Sequence, residues 1–310
     1  MPSEALKRAN SMWRELINAV EGLPLDEVRA RVDEFYERLP MPEGARLERI
    51  DAGGVPAIWA TTPESIRERT ILYLHGGGYV LGGAEGYCKM TSRIARAAEA
   101  RVLVIDYRLA PENAFPAAVQ DGVQVYGWLL QQGVRPDSVA IAGDSAGGGL
   151  TLATMISVRD AGGKLPAAAA VISPWIDLAL TGSSLEANAD RDSLISRSVL
   201  EGFVNGYLQG QDPRSPLASP LYADLRALPP LLVQVGTAET LLDDAQRLAE
   251  RAREAGVEVT LDVAEEMPHV WHVFASFLPE AQQAIDRLGR FVRRHTESAA
   301  KGERSGAGAG

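Results

Sequence analysis

Ser145 stands in Gly143-Asp144-Ser145-Ala146-Gly147, between the apolar run Val139 to Ala142 and the small-residue segment Gly148-Gly149-Leu150-Thr151-Leu152. A run of β-formers, an abrupt turn and a helix-compatible pattern place the serine at the tip of a strand-turn-helix. A Cβ at 143 or 147 would collide with the tightly reversing backbone there, which accounts for glycine on both sides. The hydroxyl would project above a sheet at a helix N-terminus, where the dipole favours developing negative charge. Those properties suit a nucleophilic serine.

A serine hydroxyl is a poor nucleophile at neutral pH, so acyl transfer needs a base beside Ser145, an acid that orients the base, and donors for the oxyanion. On an elbow of this kind the chain order is serine, acid, histidine. Only His269, His272 and His295 follow the serine. His295 sits among Arg293, Arg294 and Glu297 at the end of a polar helix, where a solvated role is expected. His269 follows a strand and the loop Ala264 to Pro268, which can present it. His272 lies in the apolar segment Trp271 to Phe274 and is expected to be a packed or partly exposed helical residue. The favoured base is His269.

The acid is expected after the strand Leu231 to Val235, in a loop that offers Glu239, Asp243 and Asp244. Glu239 is nearest the strand end. Asp243 and Asp244 fall one turn into the next helix, as surface or supporting charges, and Glu239 is preferred with Asp243 as the alternative. For the oxyanion, rigid backbone amides are needed, one from Ala146 and others from the loop His75-Gly76-Gly77-Gly78 that ends an earlier strand. His75 is expected to support that loop through its own hydrogen bonds rather than to titrate.

Apolar spacing predicts helices over 4–20 and 25–39, and alternation around Gly53-Gly54 predicts a hairpin between 46 and 61. Strands are then expected at 70–75, 101–106, 137–142, 167–172, 230–235 and 257–263. Helices at 87–99, 115–131, 146–161, 240–255 and 280–295 alternate with them. That rhythm implies an α/β fold, a mostly parallel sheet with helices on both faces. It breaks between Asp177 and Leu228, where one amphipathic helix near 196–208 is expected in an insertion above the C-terminal strand ends. The expected organisation is N-terminal helices at 1–45 contributing to a cap, a catalytic domain at 46–180 and 226–296, a cap insertion at 181–225, and a flexible tail at 297–310.

The chain has 310 residues, 46% hydrophobic and 23% charged, and a formal charge of -10. Such a balance fits a soluble globular protein and disfavours nucleic acid or anionic lipid as partner. No segment has signal-peptide or membrane-span character, so a cytoplasmic protein is expected. Cys88 is the only cysteine. It permits neither an intrachain disulfide nor a thiolate metal cluster, and a part-buried thiol is expected.

Taken together, His75-Gly76-Gly77-Gly78-Tyr79, the segment Asp106 to Glu112 (D-Y-R-L-A-P-E), Gly143 to Gly148 (G-D-S-A-G-G), Ser173 to Leu178 (S-P-W-I-D-L) and the paired acid and histidine loops carry a family likeness. The chain resembles the bacterial esterases of the hormone-sensitive-lipase-like family, of the α/β-hydrolase fold, from about residue 70 to 275. The resemblance implies Ser145 as nucleophile, His269 as base, the amides of Gly77, Gly78 and Ala146 as oxyanion hole, and a helical cap. The family's acid loop reads D-P-L-x-D, and here Glu239-Thr240-Leu241-Leu242-Asp243 replaces it, with glutamate for aspartate and threonine for proline.

The expected activity is hydrolysis of short to medium acyl esters through a Ser-His-Glu triad and an acyl-enzyme, with no metal and no organic cofactor. The alternatives are a catalytically silent ligand-binding protein on this fold, or amide or lactone hydrolysis by the same residues. A small-molecule ester is the expected partner, and a homodimer is plausible because the strand at 257–263 would leave a sheet edge to cover.

Overall fold

The computed structural model describes residues 2–296; the tail at 297–310 lies outside the described residues. Two helices open the chain, α1 (Glu4–Val20) and α2 (Leu25–Glu37), followed by the hairpin β1 (Arg46–Asp51) and β2 (Pro56–Thr61). The alternating part then runs β3 (Ile66–Leu74), α3 (Ala84–Ala98), β4 (Ala100–Ile105), α4 (Ala117–Gln131), β5 (Val139–Asp144), α5 (Ala146–Asp160) and β6 (Ala168–Ile172). After the insertion, with α6 (Ser184–Ala187) and α7 (Arg197–Leu208), come β7 (Leu231–Gly236), α8 (Leu242–Glu254), β8 (Val259–Ala264) and α9 (Pro279–Thr296).

The strands form one eight-stranded sheet in the order β1-β2-β4-β3-β5-β6-β7-β8. β1 pairs antiparallel with β2, and β2 with β4; every later pairing is parallel. The near-continuous apolar character of β3, β5 and β6 follows from burial on both faces. Within β3, Ile71 and Tyr73 enter the core shared with α3 and α9, while Leu72 and Leu74 enter the one shared with α4, α5 and α8.

The sequence pattern places the element types correctly, and the differences are local. β3 begins at Ile66, earlier than the apolar run, because Ile66 already pairs with Ala100, ahead of the polar Arg67-Glu68-Arg69 and a register shift before Thr70. The insertion carries the short α6 as well as α7. Cys88 is fully rather than partly buried, on the inner face of α3. His272 is fully buried on a 3-10 turn, Trp271–Phe274, not on an α-helix. His295 is not solvated: it is half-buried and packs on Phe291, with ring centroids 4.5 Å apart.

The N-terminal helices are tied to the strand-end loops. Trp13 of α1 stacks on Phe35 of α2 at 4.9 Å and meets Phe274 edge-on at 4.9 Å. Arg29 of α2 donates to the carbonyls of Val80 and Ala110 and to Glu112. No helix among the described residues is long and apolar enough to cross a membrane.

Candidate active site

Ser145 joins β5 to α5 with φ 53° and ψ −121°, a conformation costly for a residue with a side chain. Its amide donates to Ile172 O at 2.9 Å, and its carbonyl accepts from Gly148 at 3.0 Å and Trp175 at 2.9 Å. These bonds hold the strained turn. A Cβ at Gly147 would overlap the carbonyls of Leu74 and His75, and one at Gly143 would overlap those of Gly147 and Leu74. Glycine is thus required by the close approach of the β3 end to the elbow.

That end of β3 continues into Gly76-Gly77-Gly78, where Gly77 has φ 110° and its carbonyl accepts from Val80 at 3.0 Å and Leu81 at 2.8 Å. His75 donates its Nδ1 proton to Gly76 O at 2.7 Å, its carbonyl accepts from Tyr107 Oη at 2.8 Å, and its ring stacks on Tyr107 at 4.2 Å. Burial lowers its pKa, so it supports the loop as a neutral ring. The backbone N–H groups of Gly77, Gly78 and Ala146 find no acceptor among the described residues. Three donors at a tight turn and a helix N-terminus are what a developing oxyanion requires.

Asp144 couples the two loops. Its buried carboxylate accepts from Tyr73 Oη at 2.8 Å, Tyr87 Oη at 3.2 Å and the Gly76 amide at 3.1 Å. Burial raises its pKa to about 6 despite those donors. Tyr36 of α2 in turn donates to Tyr87 Oη at 3.1 Å.

Glu239 lies just past β7 and is wholly buried. Its Oε1 accepts from Ser173 Oγ at 2.8 Å and the Gly236 amide at 2.6 Å, and its Oε2 accepts from His269 Nδ1 at 2.9 Å. Burial raises the carboxyl pKa, while the bond from His269 pulls it down. For His269, burial lowers the pKa, but the hydrogen bond and charge of Glu239, with the charges of Asp192 and Asp144, outweigh it and leave it raised. Ser173, with φ 47° at the end of β6, also accepts from the Val270 amide at 3.1 Å, so one hydroxyl ties both loops together. Trp13 Nε1 donates to His269 O at 3.0 Å from α1.

The other candidates are elsewhere. Asp243 accepts from Ser183 Oγ at 2.6 Å and the Ser184 amide at 3.0 Å, and Asp244 holds the amides of Ile176 and Asp177. His272 Nε2 pairs with Gln234 Oε1 at 3.0 Å, and burial drives its pKa down to about 3. Ser145, His269, Gly77 and Gly78 line one cavity of about 690 Å³, whose walls are mostly apolar side chains of α1, α2 and the insertion. Residue spacing does not single out Asp144 or Trp13 for this site; only Asp144, adjacent to the serine, carries a local signal.

The model of the alpha/beta hydrolase fold family matches residues 71–273. An acetyl-hydrolase of Streptomyces hygroscopicus is 46% identical over 266 residues, covering 86% of this chain and 88% of its own length. An esterase of Acinetobacter venetianus is 36% identical, with the same coverages of 86% and 88%. A crystal structure of an esterase from the bacterial hormone-sensitive lipase family superposes with a TM-score of 0.93 at 47% identity, covering 96% of this chain and 99% of that one. The chain therefore belongs to the alpha/beta hydrolase fold family and, within it, to the bacterial hormone-sensitive-lipase family of esterases.

Proposed function

We propose that this protein is a serine carboxylesterase working through Ser145, His269 and Glu239. Ser145 Oγ attacks the ester carbonyl carbon while its proton passes to His269 Nε2, and the tetrahedral oxyanion accepts from the amides of Gly77, Gly78 and Ala146. Collapse breaks the acyl–oxygen bond, His269 returns the proton to the leaving alcohol, and an acyl-enzyme remains. Water, deprotonated by His269, releases the acid by the same route in reverse. Glu239 keeps the Nδ1 proton in place and stabilises the imidazolium.

The observation that carries this reading is the convergence on one cavity of a strained serine, a histidine bonded to a buried carboxylate, and three unpartnered amides. A cavity of about 690 Å³ with apolar walls supports short to medium acyl chains. The name of the Streptomyces relative, an acetyl-hydrolase, supports a short acyl group. The N-terminal helices and the insertion form the cap in this reading, over a catalytic domain built on the sheet. A homodimer is part of the proposal, since β8 ends the sheet and exposes Val263; sizing with light scattering checks it. Cytoplasmic residence is proposed too, a lone buried thiol suiting a reducing compartment.

A fluorophosphonate probe should label Ser145, as mapped by mass spectrometry, and Ser145→Ala should abolish both labelling and turnover of p-nitrophenyl butyrate. Unchanged turnover in that variant would overturn the assignment.

A further inference from the structure

Asp192 lies in the insertion, between α6 and α7. Its Oδ1 accepts the amides of Leu194 and Ile195, both at 3.0 Å, which fixes its own turn. Its Oδ2 reaches across to the acid loop and accepts the Thr240 amide at 2.8 Å and Thr240 Oγ1 at 3.0 Å. The same segment donates Asn188 Nδ2 to Glu239 O at 2.7 Å, and Arg191 Nη1 to Thr237 O at 3.0 Å. The insertion therefore grips the acid loop at Thr237, Glu239 and Thr240. It does more than roof the cavity.

This grip uses the position where the chain departs from the D-P-L-x-D pattern. Proline has no N–H, so Thr240 supplies two donors where that pattern supplies none. The departure at 240 and the carboxylate at 192 complement each other, next to the departure at 239 that lengthens the acid.

We propose that Asp192 is a positioning residue of the esterase centre: its carboxylate clamps Thr240 and thereby sets the Glu239–His269 pair. The inference rests on the reading of Glu239 as the triad acid. The clamp is also a second negative charge near the base. The charged groups that face His269 are Glu239 from the loop after β7, Asp192 from the insertion and Asp144 from the end of β5, and all three favour the imidazolium. A cation forms on His269 in the transition state, so Asp192 acts on rate through both geometry and charge.

The test compares Asp192→Asn, Thr240→Val and Thr240→Pro with the wild-type full chain, measuring kcat and KM for p-nitrophenyl butyrate, the pH profile of kcat/KM, and Tm. Active sites are titrated with fluorophosphonate. Asp192→Asn should lower kcat per active site by roughly 10- to 100-fold, the worth of hydrogen bonds to a charged group. KM should change by less than about threefold, and the acidic limb should move to lower pH because His269 loses a favouring charge. Thr240→Pro should follow in kcat without moving the limb as far, because the charge stays. Thr240→Val, which keeps the amide bond, should lose about two- to fivefold. A mere tether between cap and sheet would lower Tm and leave the limb in place. A folded Asp192→Asn with kcat and limb unchanged overturns the proposal, and if that variant does not fold, a Thr240→Val of unaltered kcat does so. Failure of the triad reading is separate, since Glu239→Gln would then remain active whatever Asp192→Asn does.

Discussion

Glu239→Gln is the sharpest probe of the centre, because the hydrogen bonds dictate how the amide must sit. Oε1 is held by two donors, Ser173 Oγ and the Gly236 amide, so the carbonyl of glutamine takes that place. Its NH₂ is then left at the Oε2 position, 2.9 Å from His269 Nδ1. An amide nitrogen can only donate there, so Nδ1 must present its lone pair and the proton moves to Nε2. Nε2 then cannot take the proton of Ser145. A change that traps the wrong tautomer in such a triad costs about 10⁴ in kcat, or about 5.5 kcal/mol at 1.36 kcal/mol per tenfold. The substitution is isosteric and removes a buried charge, so Tm should hold. Release of p-nitrophenolate from the butyrate ester reads the rate, with Asp243→Asn in parallel. Asp243 bonds only Ser183 and Ser184 among its direct partners on the insertion, and its variant should keep kcat within about threefold. If Glu239→Gln kept more than about a tenth of the rate while Asp243→Asn lost about 100-fold, the tautomer argument and the choice of acid would both be wrong.

The pH profile of kcat/KM should have its acidic limb above the ordinary 6.5 of histidine, with activity lost as pH falls through it, since His269 is raised and must be neutral to accept the proton; a limb well below that value contradicts the assignment. His272→Ala should leave kcat per active site within about threefold yet cost about 2–4 kcal/mol of stability by denaturant melts, through a lost buried hydrogen bond and a cavity. A rate loss equal to that of His269→Ala would reopen the choice of base. Phe203 of α7 lies against Gly78 and lines the cavity, so Phe203→Ala should raise kcat/KM for octanoate relative to butyrate by about threefold or more; an unchanged ratio places the acyl chain elsewhere.

The strand-end positions of Ser145, His269 and the Gly76 to Gly78 loop, which line one cavity, were legible from local pattern: a hydroxyl between glycines after a β run, a histidine after a strand, glycines where a buried strand stops. The alternation of strands and helices likewise follows from hydrophobic periodicity, which is local. Packing of His272 was legible from the apolar segment around it, but its partner was not, because that is Gln234, 38 positions earlier, facing it from β7.

The sequence alone carried the esterase family, the mostly parallel sheet and the strand-end loops on which Ser145, Glu239 and His269 lie. Only the tertiary structure decided among Glu239, Asp243 and Asp244 for contact with His269. All three carboxylates lie within six residues, and their fates depend on which distant donors they meet: His269 and Ser173, Ser183, or the amides of Ile176 and Asp177. The bonds from Trp13 to the His269 loop and from Thr240 to Asp192 are of the same kind, spanning 256 and 48 positions. A side chain's partner across the strand ends is set by how the strands are ordered and packed, and no local pattern of residues encodes it.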